Sequence, residues 1–143
     1  MNIIICGAGK VGLSISKQLS AQGHSVTVID QSSEDIKRIS DTQDVKGIVG
    51  RASLPSVLEN AGAEKADMII AVTRNDETNM IVCQLASSLF NVSKKIARIR
   101  TKDFLEGKWG KLYNKSNIPI DVIISPEREV AKSLYRRLEA PGA

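Results

Sequence analysis

The stretch Met1-Asn-Ile-Ile-Ile-Cys-Gly-Ala-Gly-Lys-Val-Gly12 decides the fold class, because a short apolar run leads directly into Gly7-x-Gly9-x-x-Gly12. In a strand-turn-helix unit, the first glycine permits a tight turn, the second lets the backbone approach a pyrophosphate, and the third lets the helix pack closely on the sheet. Amides at the helix start carry the positive end of the helix dipole and can hold an anion. The sequence therefore predicts a dinucleotide-binding turn made of Gly7, Ala8, Gly9, Lys10, Val11 and Gly12.

An acidic residue stands at the distance from this turn that a dinucleotide site requires. Asp30 follows Gly12 by 18 residues and closes the apolar run Ser25–Ile29. At the carboxyl end of a second strand, its carboxylate is predicted to accept hydrogen bonds from both hydroxyls of a ribose. A 2′-phosphate would be repelled there, which favours NAD(H) over NADP(H) as the cofactor.

Strands and helices alternate along the chain, which predicts an α/β fold with a parallel sheet and helices on both of its faces. Six strands complete a doubly wound Rossmann sheet of order 3-2-1-4-5-6, and one such domain is predicted over residues 1–138. The predicted strands are Asn2–Cys6, Ser25–Asp30, Val45–Val49, Met68–Val72, Ile96–Arg100 and Val122–Ile124. The predicted helices are Lys10–Gln22, Ser33–Thr42, Leu54–Ala61, Glu77–Phe90, Asp103–Tyr113 and Pro126–Leu138.

Ligands of such sheets bind beyond the carboxyl ends of the strands, where the strand order reverses between the first and fourth strands. Ser53 is predicted to cap the third helix, and whether it also faces the pocket is left open. The residues expected to meet the glycine turn there are Asp30, Gln31, Gly50, Arg51, Ala52, Ser53, Thr73 and Arg74.

Arg98 is unusual because it falls inside the predicted fifth strand. A central parallel strand is buried on both faces, so an arginine there needs an anionic partner or a route to solvent. A bound phosphate or an acid such as Glu77 could supply the negative charge. The alternative is an arginine that extends to water at a margin of the sheet.

The composition limits the class of protein. The apolar stretches are far shorter than the roughly 20 residues that cross a bilayer, and Cys6 and Cys83 show no metal-ligand spacing and are expected to be buried. Eight Lys or Arg residues lie between Asn91 and Lys115, without the interleaved aromatic rings of single-strand readers. The sequence therefore predicts no insertion into a membrane and no metal site, and it disfavours nucleic acid as a partner.

No recognisable catalytic set accompanies the predicted site. The single histidine, His24, is predicted at the end of the sheet opposite the glycine turn. Tyr113-Asn114-Lys115 lacks the Tyr-x-x-x-Lys spacing of short-chain dehydrogenases. The chain is therefore predicted to bind without turnover and not to be an enzyme. Two alternatives stay open: the cofactor domain of an NAD-dependent oxidoreductase without its substrate domain, and a module that binds nucleic acid through the basic stretch.

Five blocks of the chain, which include the glycine turn, carry a resemblance to a known family. The blocks are residues 1–12, 59–73 (ENAGAEKADMIIAVT), 75–80 (NDETNM), 96–100 (IARIR) and 124–127 (ISPE). They resemble the N-terminal domain of the TrkA regulators of bacterial potassium uptake, a family within the regulators of K⁺ conductance (RCK). The resemblance runs from end to end of the chain, and its most specific parts are the acidic block that opens the fourth helix and the Ala-Arg-Ile-Arg block.

The resemblance implies a regulatory domain that binds NAD(H), with ADP or ATP as competitors at the same site. It assigns Gly7 through Val11 to the pyrophosphate, Asp30 to the ribose, Thr73 to the nicotinamide half or the phosphates, and Arg98 to a phosphate. It also implies a Trk membrane channel subunit as partner, self-association into dimers or larger assemblies, and a cytoplasmic location, peripheral on the inner face of the membrane.

Two positions depart from the family pattern. Lys10 stands where related nucleotide-gated domains can carry an arginine, so the charge is kept but the bidentate fork is lost. Arg51 stands where many relatives of the wider group carry aspartate, so the adenosine contacts are expected to differ there. The last residues, 139–143, resemble the start of a hinge into a following domain.

Overall fold

The fold is built on a parallel sheet, seen in a computed structural model that describes residues 1–125. The strands are β1 Asn2–Cys6, β2 Ser25–Asp30, β3 Lys46–Val49, β4 Met68–Ala71, β5 Lys94–Arg98 and β6 Val122–Ile124. The helices are α1 Lys10–Ala21, α2 Ser33–Thr42, α3 Pro55–Asn60, α4 Asp76–Ser88 and α5 Lys102–Leu105, with 3-10 helices at Ala63–Lys65 and Gly107–Leu112. The predicted helix Pro126–Leu138 and the predicted hinge at 139–143 lie outside the described residues.

The strand order is β3-β2-β1-β4-β5-β6, and every pairing is parallel. This confirms the predicted doubly wound sheet. β1 lies at its centre, where Ile5 pairs with Val28 of β2 on one side and with Ile70 of β4 on the other. The chain therefore reverses its direction of winding between β1 and β4, and the crevice above that point is the expected ligand site.

The two faces of the sheet have separate apolar cores because alternate strand residues point to opposite faces. On one face, Ile3 and Ile5 of β1 pack with residues of α1 and α2 such as Ile15. On the other, Cys6 packs with α3 and α4 residues that include Cys83.

Both cysteines are free thiols and fully buried, as expected. Burial raises the pKa of the Cys83 thiol to about 12 and that of Cys6 further still.

Two predicted elements near the end of the described chain need correction. β5 runs from Lys94 to Arg98, and each end lies two residues before the predicted bound. The strand starts earlier because Lys94 and Lys95 pair with Met68 and Ile69 of β4, and it ends earlier because the Arg100 amide donates to a carboxylate of α4 instead of to a strand. The predicted helix Asp103–Tyr113 is α5 followed by a 3-10 helix. Glu106 separates the two with extended backbone (φ −82°, ψ 142°), and Gly107 begins the 3-10 helix with a φ of +52°, so an α-helix cannot continue through this point. The other predicted elements within residues 1–125 agree with the structure to within two residues, and the 3-10 helix Ala63–Lys65 was not predicted.

The basic stretch from Asn91 to Lys115 is not a continuous surface. Lys95 is 7% exposed and its Nζ lies 3.3 Å from Asp121 Oδ2, and Arg98 is 4% exposed. Their charges point into the domain.

Within residues 1–125, no helix is both long and apolar enough to span a membrane.

Candidate functional site

A cavity of about 660 Å³ opens at the carboxyl ends of β1, β2, β4 and β5, a size suited to a small-molecule ligand. It lies at the predicted reversal of strand order. Its lining includes residues of the glycine turn and of the three other segments predicted to meet it, residues 30–31, 50–53 and 73–74. The lining residues are Gly7, Gly9, Lys10, Val11, Asp30, Gln31, Asp35, Gly50, Arg51, Ala52, Ser53, Val72, Thr73, Arg74, Asn75, Thr78, Arg98 and Arg100. Three predicted site residues, Ala8, Gly12 and Glu77, are not in this lining.

The three glycines of the turn have different structural requirements. Gly7 has a φ of +119°, and a Cβ there would lie 2.8 Å from the Val72 carbonyl oxygen. A Cβ at Gly12 would collide with the Gly7 carbonyl, so α1 can approach β1 only with glycine at this position. Around Gly9 no protein atom would lie within 4 Å of a Cβ. Gly7 and Gly12 are thus needed for the fold, whereas Gly9 leaves space that opens into the cavity.

Asp30 is held in place by two backbone amides. Its Oδ2 accepts a hydrogen bond from the Ala8 amide at 2.7 Å, and its Oδ1 accepts one from the Ser32 amide at 2.8 Å. Each carboxylate oxygen has a second lone pair, so the group can still accept two more donors from the cavity. The Ala8 amide is directed at Asp30, and Ala8 itself is buried.

The segment Gly50–Ser53 closes the cavity next to Asp30. The Gly50 amide donates to the Asp30 carbonyl at 2.9 Å, which ties the end of β3 to the end of β2. Ser53 lines the cavity, but the predicted cap is wrong: Leu54 is the N-cap residue of α3. The Leu54 amide donates to the Arg51 carbonyl in a tight turn, and this turn places Ser53 one residue too early to cap the helix.

Across the cavity lie two arginines whose guanidinium groups are anchored to the backbone. Arg98 Nη2 donates to the Thr73 carbonyl at 2.7 Å, and Arg100 Nη2 donates to the Arg74 carbonyl at 2.8 Å. A backbone carbonyl is thus one anchor of Arg98, and the small exposure of this side chain argues against one that simply extends to water. Glu77 lies exposed in the first turn of α4, outside the cavity lining.

Two residues of this region, Asp76 and Asn79, were not predicted. Asn79 is fully buried, and its amide group bonds to the backbone of both Thr73 and Arg98. Asp76 is 6% exposed and accepts hydrogen bonds from the amides of Arg100 and Thr101. The sequence carried one signal for them, since both lie in the block 75–80 that carries the family resemblance, but the block alone assigned them no role.

The charge of Asp76 is stabilised by its surroundings. Burial alone would raise the pKa of its carboxyl, but hydrogen bonds from Thr101 and Arg100 and the Arg100 charge together hold that pKa below its ordinary value. Asp76 is therefore ionised at neutral pH, and it fixes the loop after β5 to the start of α4.

The charges around the cavity are divided between its two sides. Asp30 and Asp35 lie at the end of β2 and in the first turn of α2. The cations of the lining outnumber them, and all except Arg51, which follows β3 on the side of the acids, lie at the turn after β1 and near the ends of β4 and β5. An anion is therefore attracted to the cavity, and it is drawn away from the β2 side. The lining cations are Lys10, Arg51, Arg74, Arg98 and Arg100.

His24 lies away from this cavity, in the turn before β2, as expected. Its Nδ1 lies 3.0 Å from the ammonium group of Met1, and partial burial together with that positive charge lowers the pKa of the imidazole. Across the part of the chain that the structure describes, no group of three or more His, Cys, Asp or Glu residues could hold a metal ion.

Comparison with known proteins identifies the family. A profile of the TrkA-N domain matches residues 3–126. The chain is 48% identical over 143 residues to the Trk system potassium uptake protein TrkA of Azorhizobium caulinodans, covering all of this chain and 31% of that protein. It thus spans about a third of the length of such curated relatives.

Solved structures share the fold at low sequence identity. A GsuK channel bound to NAD superimposes with a TM-score of 0.71 at 18% identity, over 87% of this chain and 21% of that chain. The Kef C-terminal domain of Shewanella denitrificans in its AMP-bound form superimposes with a TM-score of 0.71 at 22% identity, over 100% of this chain and 83% of that chain. Because its profile match spans nearly the whole sequence, the chain belongs to the TrkA-N domain family.

Proposed function

We propose that this domain senses an adenine nucleotide, with NAD(H) as its main ligand and ADP or ATP as competitors. The observation that carries the proposal is the Asp30 carboxylate, which the Ala8 and Ser32 amides hold at the rim of the cavity. A carboxylate fixed in this way presents its remaining lone pairs to the adjacent hydroxyls of a ribose. The NAD-bound and AMP-bound proteins of the same fold support an adenine nucleotide as the ligand.

The rest of the cavity fits the phosphates of such a ligand. The open space at Gly9 lets a pyrophosphate approach the backbone at the start of α1, where the helix dipole favours an anion. Lys10 and Arg98 add positive charge nearby. Bound there, a dinucleotide would extend from Asp30 across the end of β1 toward Thr73, Arg98 and Arg100.

We further propose that the domain regulates a potassium-uptake system and is not itself an enzyme. The relatives that share the whole chain are named Trk system potassium uptake protein TrkA, which supports a Trk membrane channel subunit as partner. The domain would act from the cytoplasmic side, peripheral to the membrane, and would associate with further copies of itself. A ligand shifts such an assembly only through unequal affinity for its two arrangements, and a tenfold difference supplies about 1.4 kcal/mol per site.

Binding is tested by calorimetry of the chain with NADH, NAD⁺, ADP, ATP and NADPH. We expect micromolar to submillimolar binding of NADH, and roughly tenfold weaker binding of NADPH because its 2′-phosphate faces Asp30. The absence of binding by every adenine nucleotide at millimolar concentration would overturn the proposal. Binding of NADPH at least as tight as NADH would overturn the role of Asp30.

Regulation is tested by measuring potassium flux through the channel when it is assembled with the intact regulatory subunit. We expect flux to differ between NADH, NAD⁺ and no nucleotide. Equal flux in all three conditions contradicts a sensing role. Steady oxidation of NADH by the intact protein with a small carbonyl compound would instead favour the oxidoreductase alternative.

A further inference from the structure

We propose that Asp76 and Asn79 are positioning residues that set the arginine side of the cavity, although neither of them lines it. The proposal rests on the proposed nucleotide binding, because the arginines they hold would meet the charged part of the ligand. Both residues lie on α4, three positions apart and therefore on the same face of the helix. That face packs against the ends of β4 and β5.

Asn79 joins the ends of the two strands. Its Oδ1 accepts hydrogen bonds from the Thr73 amide at 3.0 Å and the Thr73 hydroxyl at 2.7 Å. Its Nδ2 donates to the Thr73 carbonyl at 3.1 Å and to the Arg98 carbonyl at 2.8 Å. All four hydrogen-bonding positions of this buried amide are in use, so its orientation is fully specified.

The same carbonyl connects Asn79 to the Arg98 guanidinium. The Thr73 carbonyl accepts from Asn79 Nδ2 and also from Arg98 Nη2 at 2.7 Å. Asn79 therefore holds Arg98 twice: directly through the Arg98 carbonyl, and indirectly through the group that anchors its guanidinium. A change at Asn79 moves both the strand end and the cation that it carries.

Asp76 fixes the next part of the loop in a similar way. Its two carboxylate oxygens accept from the Arg100 amide at 3.0 Å and from the Thr101 amide at 2.8 Å. The Arg100 side chain then reaches the Arg74 carbonyl, on the loop that follows β4. The first turns of α4 thus determine where both arginines stand relative to Thr73 and the cavity.

The experiment compares Asp76→Asn and Asn79→Asp with the unaltered chain and with Asp103→Asn. Asp103 is an exposed acid of α5 that does not line the cavity, so its variant removes the same charge as Asp76→Asn without touching the strand ends. Calorimetry gives the affinity for NADH. Titration with adenosine, followed by the amide chemical shifts of Ala8 and Ser32, gives the affinity for the ligand half that carries no phosphate.

We expect NADH affinity to fall five- to twentyfold in Asp76→Asn and further in Asn79→Asp. Adenosine affinity should change less than twofold in both variants. Asp103→Asn should bind both ligands as the unaltered chain does. Variants that bind NADH within twofold of the unaltered chain would overturn the positioning role while the proposed function stands. Equal losses for NADH and adenosine would also overturn it, since they indicate general disruption. If Asn79→Asp does not fold, Asp76→Asn decides the question alone. No NADH binding by the unaltered chain overturns both proposals.

Discussion

The two sides of the cavity are built in different ways. On the β1–β2 side, a glycine turn and one acid face each other, and the acid is held by amides close to the strand ends. On the β4–β5 side, arginines at and just after the end of β5 are held by carbonyls of the loop after β4, and α4 fixes both segments. Segments distant in sequence meet on both sides, but residue types and spacings typical of a nucleotide site mark only the first, whereas the second depends on side-chain contacts that no such motif marks.

The largest effect is expected from Asp30→Ala, which tests the β1–β2 side. The change removes two charge-assisted hydrogen bonds to the proposed ribose, together about 3 kcal/mol, and leaves the Ala8 and Ser32 amides without their acceptor. We expect NADH affinity, measured by calorimetry, to fall by about 100-fold. Asp44→Ala removes an exposed acid outside the cavity and is the matched control. Unchanged affinity in Asp30→Ala would remove the basis of the proposed function.

A second test separates fold from binding within the glycine turn. In Gly12→Ala the new methyl group collides with the Gly7 carbonyl, so we expect the free energy of unfolding to fall by about 2 to 3 kcal/mol in denaturant titrations. In Gly9→Ala the methyl group meets no protein atom, so we expect near-normal stability but clearly weaker NADH binding. Loss of stability in Gly9→Ala, or normal stability in Gly12→Ala, would contradict the division of roles between these glycines.

The comparison of the two sides also explains how far sequence could predict the site. The order of the sheet, the glycine turn and the position of Asp30 follow from apolar runs and short spacings, which are properties of contiguous sequence. The roles of Asp76 and Asn79 depend on β4 and β5 pairing beside α4. No local pattern specifies which backbone groups their side chains will meet.

The misplaced boundaries have the same origin. Ile99 and Arg100 continue an apolar alternation that is typical of a strand, yet the Asp76 carboxylate captures the Arg100 amide and ends β5 at Arg98. Ser53 has the residue type and spacing of a cap, but the turn at Arg51 shifts the helix start to Leu54 and Pro55. In both cases a tertiary hydrogen bond or turn overrides a local preference.

The pH dependence of stability tests whether Asp76 holds the β4–β5 side through its charge. Its pKa is lower in the folded chain than the unfolded value of about 3.9, so its stabilising contribution is present above that pH and is lost as pH falls through the folded value. We expect Asp76→Asn to be about 1 to 2 kcal/mol less stable at pH 7, with the difference shrinking below pH 4. A difference that stays constant from pH 7 to pH 3 would show that the carboxylate charge is unimportant.

The smallest effect concerns which redox form of the ligand the β4–β5 side accepts. In the proposed binding mode, a dinucleotide whose ribose meets Asp30 would direct its nicotinamide toward Thr73, and Arg74, Arg98 and Arg100 line the same part of the cavity. The nicotinamide of NAD⁺ carries a positive charge and that of NADH does not, so we expect NADH to bind about two- to fivefold more tightly at low salt. Salt screens charges of this kind, so the ratio should approach one in competition calorimetry as salt rises.

Arg74→Ala should lower the ratio, whereas Lys17→Ala, which removes an exposed cation of α1 outside the cavity, should not. Tighter binding of NAD⁺ at low salt would mean that the arginines do not face the nicotinamide, and the cationic side would then serve phosphates alone.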